Sequence, residues 1–206
     1  MRISYAITVC NEFVEIQRLI TILSENKRPQ DEIVVLFDKG NGTPEVWSYL
    51  QKKNVKIDKV KAATFKHHFA DWKNKLTDNC NGDYIFQIDA DEYLKKEFIK
   101  ILPAIIESNS NCDLFLVPRI NTVEGLTQEH IDKWRWNVNE NGWVNFPDYQ
   151  YRIWKNIPEI KWINKVHEIL VGYKEYCTLP GDSLYCLIHP KTIERQEKQN
   201  NFYDTL

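Results

Sequence analysis

Two carboxylates one residue apart, Asp89 and Asp91, end the apolar run Tyr84-Ile85-Phe86-Gln87-Ile88. The run has the length of a buried strand, so the pair falls at the strand's C-terminal end, where open α/β sheets bind ligands. Two carboxylates there suit a hard divalent cation such as Mn²⁺ or Mg²⁺, which takes oxygen ligands and shares them with substrate phosphates. A solvated acidic turn capping the next helix would use the same residues, and an isolated Asp-x-Asp does not separate the two readings. No histidine has a cysteine at ligand spacing, so zinc is not indicated. His67-His68 reads as a surface pair at a helix start.

The elements that must position the pair alternate between strand and helix. Residues 3–9 and 31–37 read as strands buried on both faces. Between them Phe13, Ile16, Ile20 and Leu23 recur at helical spacing, with Lys27, Arg28 and Pro29 marking the end. Asp38-Lys39-Gly40-Asn41-Gly42 is a tight turn. A dinucleotide fingerprint would need a third glycine, but position 45 is Glu. A helix over 44–53, a short strand near Val55–Ile57 and a helix over 69–80 lead to the Tyr84 strand. Such alternation implies βαβ units and a mostly parallel sheet.

After Asp91 the pattern weakens. A helix is expected over 95–108 and a strand over 113–120, then short strand-like pieces at 149–154 and 161–163. No linker or repeat divides the chain. One domain over 1–206 is expected, with a nucleotide-binding half at 1–92 and a more irregular, acceptor-side half at 93–206.

With 206 residues the chain can bury a sizeable core. Its net charge of −2 excludes a global basic field for nucleic acid or anionic membrane. No apolar run approaches a membrane span. Five cysteines, odd in number and without Cys-x-x-Cys spacing, fit reduced thiols in a cytoplasmic protein.

Four segments in order resemble glycosyltransferase family 2, nucleotide-sugar enzymes of the GT-A fold. Thr8-Val9-Cys10-Asn11-Glu12 is similar to the first strand-end motif. Phe37-Asp38-Lys39-Gly40-Asn41-Gly42-Thr43 resembles the Asp-Asp-Gly-Ser-Thr-type turn. Phe69-Ala70-Asp71-Trp72-Lys73-Asn74 resembles the segment ending in Arg-Asn, and Asp89-Ala90-Asp91-Glu92 the Asp-x-Asp. Within the family, Val166-His167-Glu168 is most like the lipopolysaccharide-core glucosyltransferase-like branch. Lys39 stands where many relatives have a second Asp. Lys73 replaces Arg, giving a point charge instead of a fork.

The resemblance implies an inverting, metal-dependent hexosyltransferase whose donor is a nucleotide sugar, a UDP-sugar foremost, and whose acceptor is a glycan or other hydroxyl. It places Thr8, Val9, Asn11, Glu12 and Asp38 at the nucleoside, and Lys73, Asn74 and Lys191 with the donor. Asp91 would meet the metal directly, and Asp89 the ribose or the metal through water. His189, after the apolar run 184–188, would complete the metal or diphosphate site, with Lys191 or Arg195 adding charge. Inversion needs a base for the acceptor hydroxyl. Glu168 is the first candidate and Asp148 the reserve; a plain ion pair of Glu168 with Lys165 is the bland alternative.

Trp134, Trp136, Trp143 and Trp154 are expected to bind acceptor or donor sugar through their faces. A sugar nucleotidylyltransferase would carry a Gly-rich basic loop after the first strand; Asn11-Glu12-Phe13-Val14-Glu15 is neither. The alternative from another class is a non-catalytic sugar or nucleotide-sugar binding module.

Overall fold

The computed structural model describes residues 1–203. Strand β1 (Ile3–Val9) leads into helix α1 (Phe13–Asn26), which buries Ile16, Leu19, Ile20 and Leu23 along one face. Strand β2 (Glu32–Asp38) is followed by α2 (Pro44–Leu50), β3 (Lys59–Ala63) and α3 (Phe69–Thr77). The acidic pair sits at the end of β4 (Tyr84–Asp89). Next come β5 (Tyr93–Leu94), α4 (Lys96–Ser108), β6 (Leu114–Glu124), α5 (Gln128–Trp134) and β7 (Val144–Lys155). A hairpin of β8 (Lys161–Ile163) and β9 (Ile169–Val171) precedes β10 (Tyr176–Thr178), β11 (Leu187–Thr192) and α6 (Ile193–Tyr203).

The main sheet runs β3-β2-β1-β4-β7-β6-β11-β5, with β10 beside β6. The first four strands are parallel. Strand β7 is antiparallel to both neighbours and joins the halves into one sheet. After β1 the chain builds outward through β2 and β3, then returns to place β4 on the other side of β1. That reversal opens a crevice at the strand ends, with the register partners Thr8 and Asp89 at its floor. The long β6 shares one side between β10, at its first three residues, and β11 further along. Strands β1, β2 and β4 are almost wholly buried, which their unbroken apolar runs require.

Two expectations are corrected. The third strand is Lys59–Ala63, not Val55–Ile57; Val55 and Ile57 instead pack their side chains on the core from a loop. Asp58 ends that loop by exchanging hydrogen bonds with Ile33: its amide donates to the Ile33 carbonyl and its carboxylate accepts from the Ile33 amide. The cysteines are not all reduced: Cys112 and Cys177, 65 residues apart, form a disulfide with Cα atoms 5.9 Å apart. Parallel pairing of β10 with β6 brings them together, and linear spacing carries no trace of that pairing. Cys10, Cys80 and Cys186 are free thiols. Among the described residues no helix is long and apolar enough to cross a membrane.

Candidate active site

A cleft of about 1460 Å³ opens over the C-terminal ends of β1, β2 and β4. Thr8, Val9, Asn11, Glu12, Asp38, Lys73, Asp89, Asp91, Asp148, Glu168, His189, Lys191 and Arg195 all line it. Residues spread over most of the chain thus meet at one mouth. Asn74 does not line it. Its amide donates to the Trp162 carbonyl and accepts from the Trp162 amide, both at 2.9 Å, fixing β8 against α3.

One wall of the cleft, where the nucleoside is expected, is built by β1 and β2. Glu12 turns its carboxylate back onto the amides of Cys10 and Asn11, at 2.7 and 3.1 Å, satisfying donors ahead of α1. Asp38 is 5 % exposed, and its oxygens accept from Gly40, Phe65 and Asn41. It therefore shapes the turn that walls the cleft. Gly42 is compulsory there, since a Cβ would lie 2.3 Å from the Phe37 ring and 2.4 Å from the Asp38 carbonyl.

Asp89 is held from three sides. Thr8 and Gln87 donate to Oδ1, each at 3.1 Å, and Arg152 donates to Oδ2 at 2.9 Å. Burial works against its ionisation, but the charges of Arg152, Lys73 and Arg119 outweigh burial and hold the carboxyl far below the usual range. Behind it the wholly buried Glu92 pairs with Arg152 at 2.6 Å and Arg119 at 3.2 Å. Arg119 continues to Asp148, whose oxygens also accept from Asn121 and Gln150. Burial would raise the Asp148 carboxyl, yet Arg119 and these amides bring it below the ordinary value.

Asp91 faces His189, with Oδ2 at 3.2 Å from Nε2, and Arg195 at 3.4 Å. The histidine's other nitrogen lies 3.0 Å from Asn121 Oδ1. Since the Asn121 NH₂ group donates to Asp148, its oxygen must face the ring. An amide oxygen only accepts, so Nδ1 carries a proton. In the neutral ring Nε2 then offers a lone pair to Asp91. A lone pair and a carboxylate at that distance repel unless a proton or a cation lies between them.

Glu168 follows the β8 strand in a turn where Asn164 and His167 take positive φ values of 79° and 53°. Its ion-pair partner is Lys73 of α3, with Nζ 2.6 Å from Oε1. Lys191 bonds Gln196 and Gln199 of α6. Burial lowers its ammonium to about 8, with Asp91 resisting and Arg119 and Arg195 reinforcing the shift. Arg195 also pairs with Glu12 and Glu15, tying α6 to the start of α1.

The tryptophans divide. Trp136 lines the cleft, whereas Trp154, expected at a sugar, is 1 % exposed in the core. Trp134 lies between His130 and Trp136, and Trp143 meets Phe146 edge to face. His68 caps α3 by accepting from the Asp71 amide, and His67 lines the cleft. The sequence reading missed Glu92, Arg119, Asn121 and Arg152. Glu92 adjoins the acidic pair, and charged Arg152 inside the apolar strand 151–154 is the sort of oddity that marks a partnered site.

An open sheet with an acidic pair beside its switch point, closed by an antiparallel strand and an irregular second half, is the GT-A architecture. The model of glycosyl transferase family 2 matches residues 4–165, and the chain belongs to that family. Among solved structures it is similar to S. aureus TarS 1–349, with a TM-score of 0.65 and 17% identity over 92% of this chain and 60% of that one. TarS 1–349 in complex with UDP gives 0.66 at 17% identity, over 92% and 60%. The complex with UDP-GlcNAc gives 0.64 at 17%, over 93% and 59%. The chain therefore spans about 60% of TarS 1–349, and the likeness is one of fold. No curated protein sequence matches the chain.

Proposed function

We propose that the protein is an inverting, metal-dependent glycosyltransferase moving a sugar from a UDP-sugar to an acceptor hydroxyl. The observation that carries the reading is the convergence of Asp91 and His189 in the cleft that also holds Glu168. The TarS complexes with UDP and UDP-GlcNAc support a uridine donor on the same fold.

Among the described residues no group of three or more His, Cys, Asp or Glu converges on a metal position. The fit is therefore a two-ligand one, Asp91 with the Nε2 lone pair of His189. That suits Mn²⁺ or Mg²⁺, which commonly take few protein ligands and complete their shell with substrate phosphate oxygens and water. When bound, such an ion supplies Lewis-acid stabilisation of the departing diphosphate. Asp89, tied to Arg152 and Thr8, stays ionised at the ribose side of the cleft. Lys191 and Arg195 supply positive charge to the diphosphate.

Glu168 takes the proton of the acceptor hydroxyl as that oxygen bonds to the anomeric carbon and the bond to the β-phosphate oxygen breaks. Its rival Asp148 has its oxygens engaged by four donor contacts and its basicity lowered, which favours Glu168. A panel of UDP-glucose, UDP-galactose, UDP-GlcNAc and GDP-mannose, incubated with and without Mn²⁺, tests the proposal through released nucleotide diphosphate. Mn²⁺-dependent release from one UDP-sugar is expected. Binding without release, with or without metal, would instead mark a nucleotide-sugar binding module.

A further inference from the structure

The Lys73-Asn74 pair was expected at the donor, yet both residues turn toward the segment that carries Glu168. Asn74 grips β8 through both ends of its amide. Phe69, at the start of the same helix, donates its amide to the Lys165 carbonyl at 2.9 Å. Lys73 lies between these two anchors. Its Nζ is 2.6 Å from Glu168 Oε1 and 4.2 Å from the centre of the Trp162 ring. The two side chains are only 13% and 18% exposed, so solvent screens the pair weakly.

We infer that Lys73 is a positioning residue that aims the Glu168 carboxylate, not a ligand of the donor diphosphate. The inference rests on Glu168 being the base of the proposed transfer. Glu168 ends a turn with two left-handed residues, and a glutamate has three freely rotating side-chain bonds. A base must stand within hydrogen-bond reach of the proton it takes. The ammonium, itself steadied over the Trp162 face, fixes one carboxylate oxygen and thereby the plane of the group. Drawing Lys73 away to a phosphate would leave a partly buried Glu168 without its countercharge. Helix α3 thus connects the donor strand β4, which follows it, to the acceptor-side turn.

The test uses the full chain, Mn²⁺ and the UDP-sugar hydrolysed fastest in the panel above, with water as acceptor. Lys73→Met is expected to keep its affinity for UDP and its KM for donor, while kcat falls about 10²-fold, the scale of a misplacement near 1 Å. Lys73→Arg, which keeps the charge, is expected to recover most of the rate. Lys73→Met combined with Glu168→Gln should be no slower than Glu168→Gln alone, because the lysine acts through the glutamate. Thermal unfolding of each variant checks the fold, and Lys73→Gln replaces Lys73→Met if the latter fails it. A tenfold loss of UDP affinity with kcat intact, or a multiplicative loss in the double variant, overturns the inference while leaving Glu168 as base. Glu168→Gln at the parental rate overturns both.

Discussion

His189 Nε2 and Asp91 Oδ2 stand 3.2 Å apart although 98 residues separate them. Strand β11 delivers the histidine alongside β6, and β4 delivers the aspartate, so the pair exists only once the second half of the sheet has closed. In the proposed metal site either residue alone would leave one of the two protein ligands missing. His189→Ala and Asp91→Asn are each expected to abolish the Mn²⁺ enhancement of UDP binding in calorimetry. Metal-stimulated binding at the parental level in both would remove the pair from the metal site.

Asn121 orients the ring of His189 while its own amide is fixed by Asp148. Partners that orient a ligand in this way are worth about 10–100-fold in metal affinity. Asn121→Leu should therefore weaken Mn²⁺ binding by that factor with the fold intact. An electron-paramagnetic titration of free Mn²⁺ reads it directly; an unchanged titration would mean that the ring holds its pose without the amide.

Arg152 is 2 % exposed and holds Asp89 and Glu92 together. Removing one partner of a buried ionic cluster leaves uncompensated charge and costs about 3–5 kcal/mol. Arg152→Met should lower the chemical-denaturation free energy by that amount. A loss under 1 kcal/mol would show that the two carboxylates are neutralised from elsewhere.

Glu32 receives hydrogen bonds from Ser4 and Asn81 and an ion pair from Arg2. Burial would raise its carboxyl, but these partners outweigh burial and hold it below the ordinary carboxylate value. Because the folded value is depressed, its stabilisation is complete above the unfolded value and disappears as pH falls through the folded one. Thermal midpoints of parent and Glu32→Gln should differ most at pH 7 and draw together toward pH 3. A constant difference across that range would refute the linkage.

The disulfide closes a loop of 65 residues that contains β7, β8 and Glu168. Constraining the unfolded chain over such a length contributes about 4 kcal/mol in the chain-entropy picture. Cys112→Ser with Cys177→Ser should unfold at lower denaturant than the oxidised parent, while dithiothreitol should shift the parent alone. Coincident curves for all three would mean the bridge adds nothing.

Legibility in the sequence followed range. Strands β1, β2 and β4 could be read because parallel strands buried on both faces are unbroken apolar runs, and α1 because its apolar spacing is regular. Strand β3 could not, since an edge strand with Lys59 and Lys61 has no such run while Val55 and Ile57 imitate one. Asp91, His189 and Glu168 were findable as chemical types beside motifs. Asn121 and Arg119 were not: they are ordinary residues of β6 until β7 brings Asp148 across from them. Lys73 was legible as a cation, but its partner was fixed by how β8 packs on α3.

Strand β4 offers its free edge to β7, and β7 is synthesised about 60 residues after β4. Until then the nascent first half presents a bare, apolar parallel strand of the kind that pairs with foreign chains. A fragment ending after Glu92 should therefore aggregate during synthesis, and the emergence of Lys155 from the ribosome marks the point at which the growing polypeptide covers its own sticky margin.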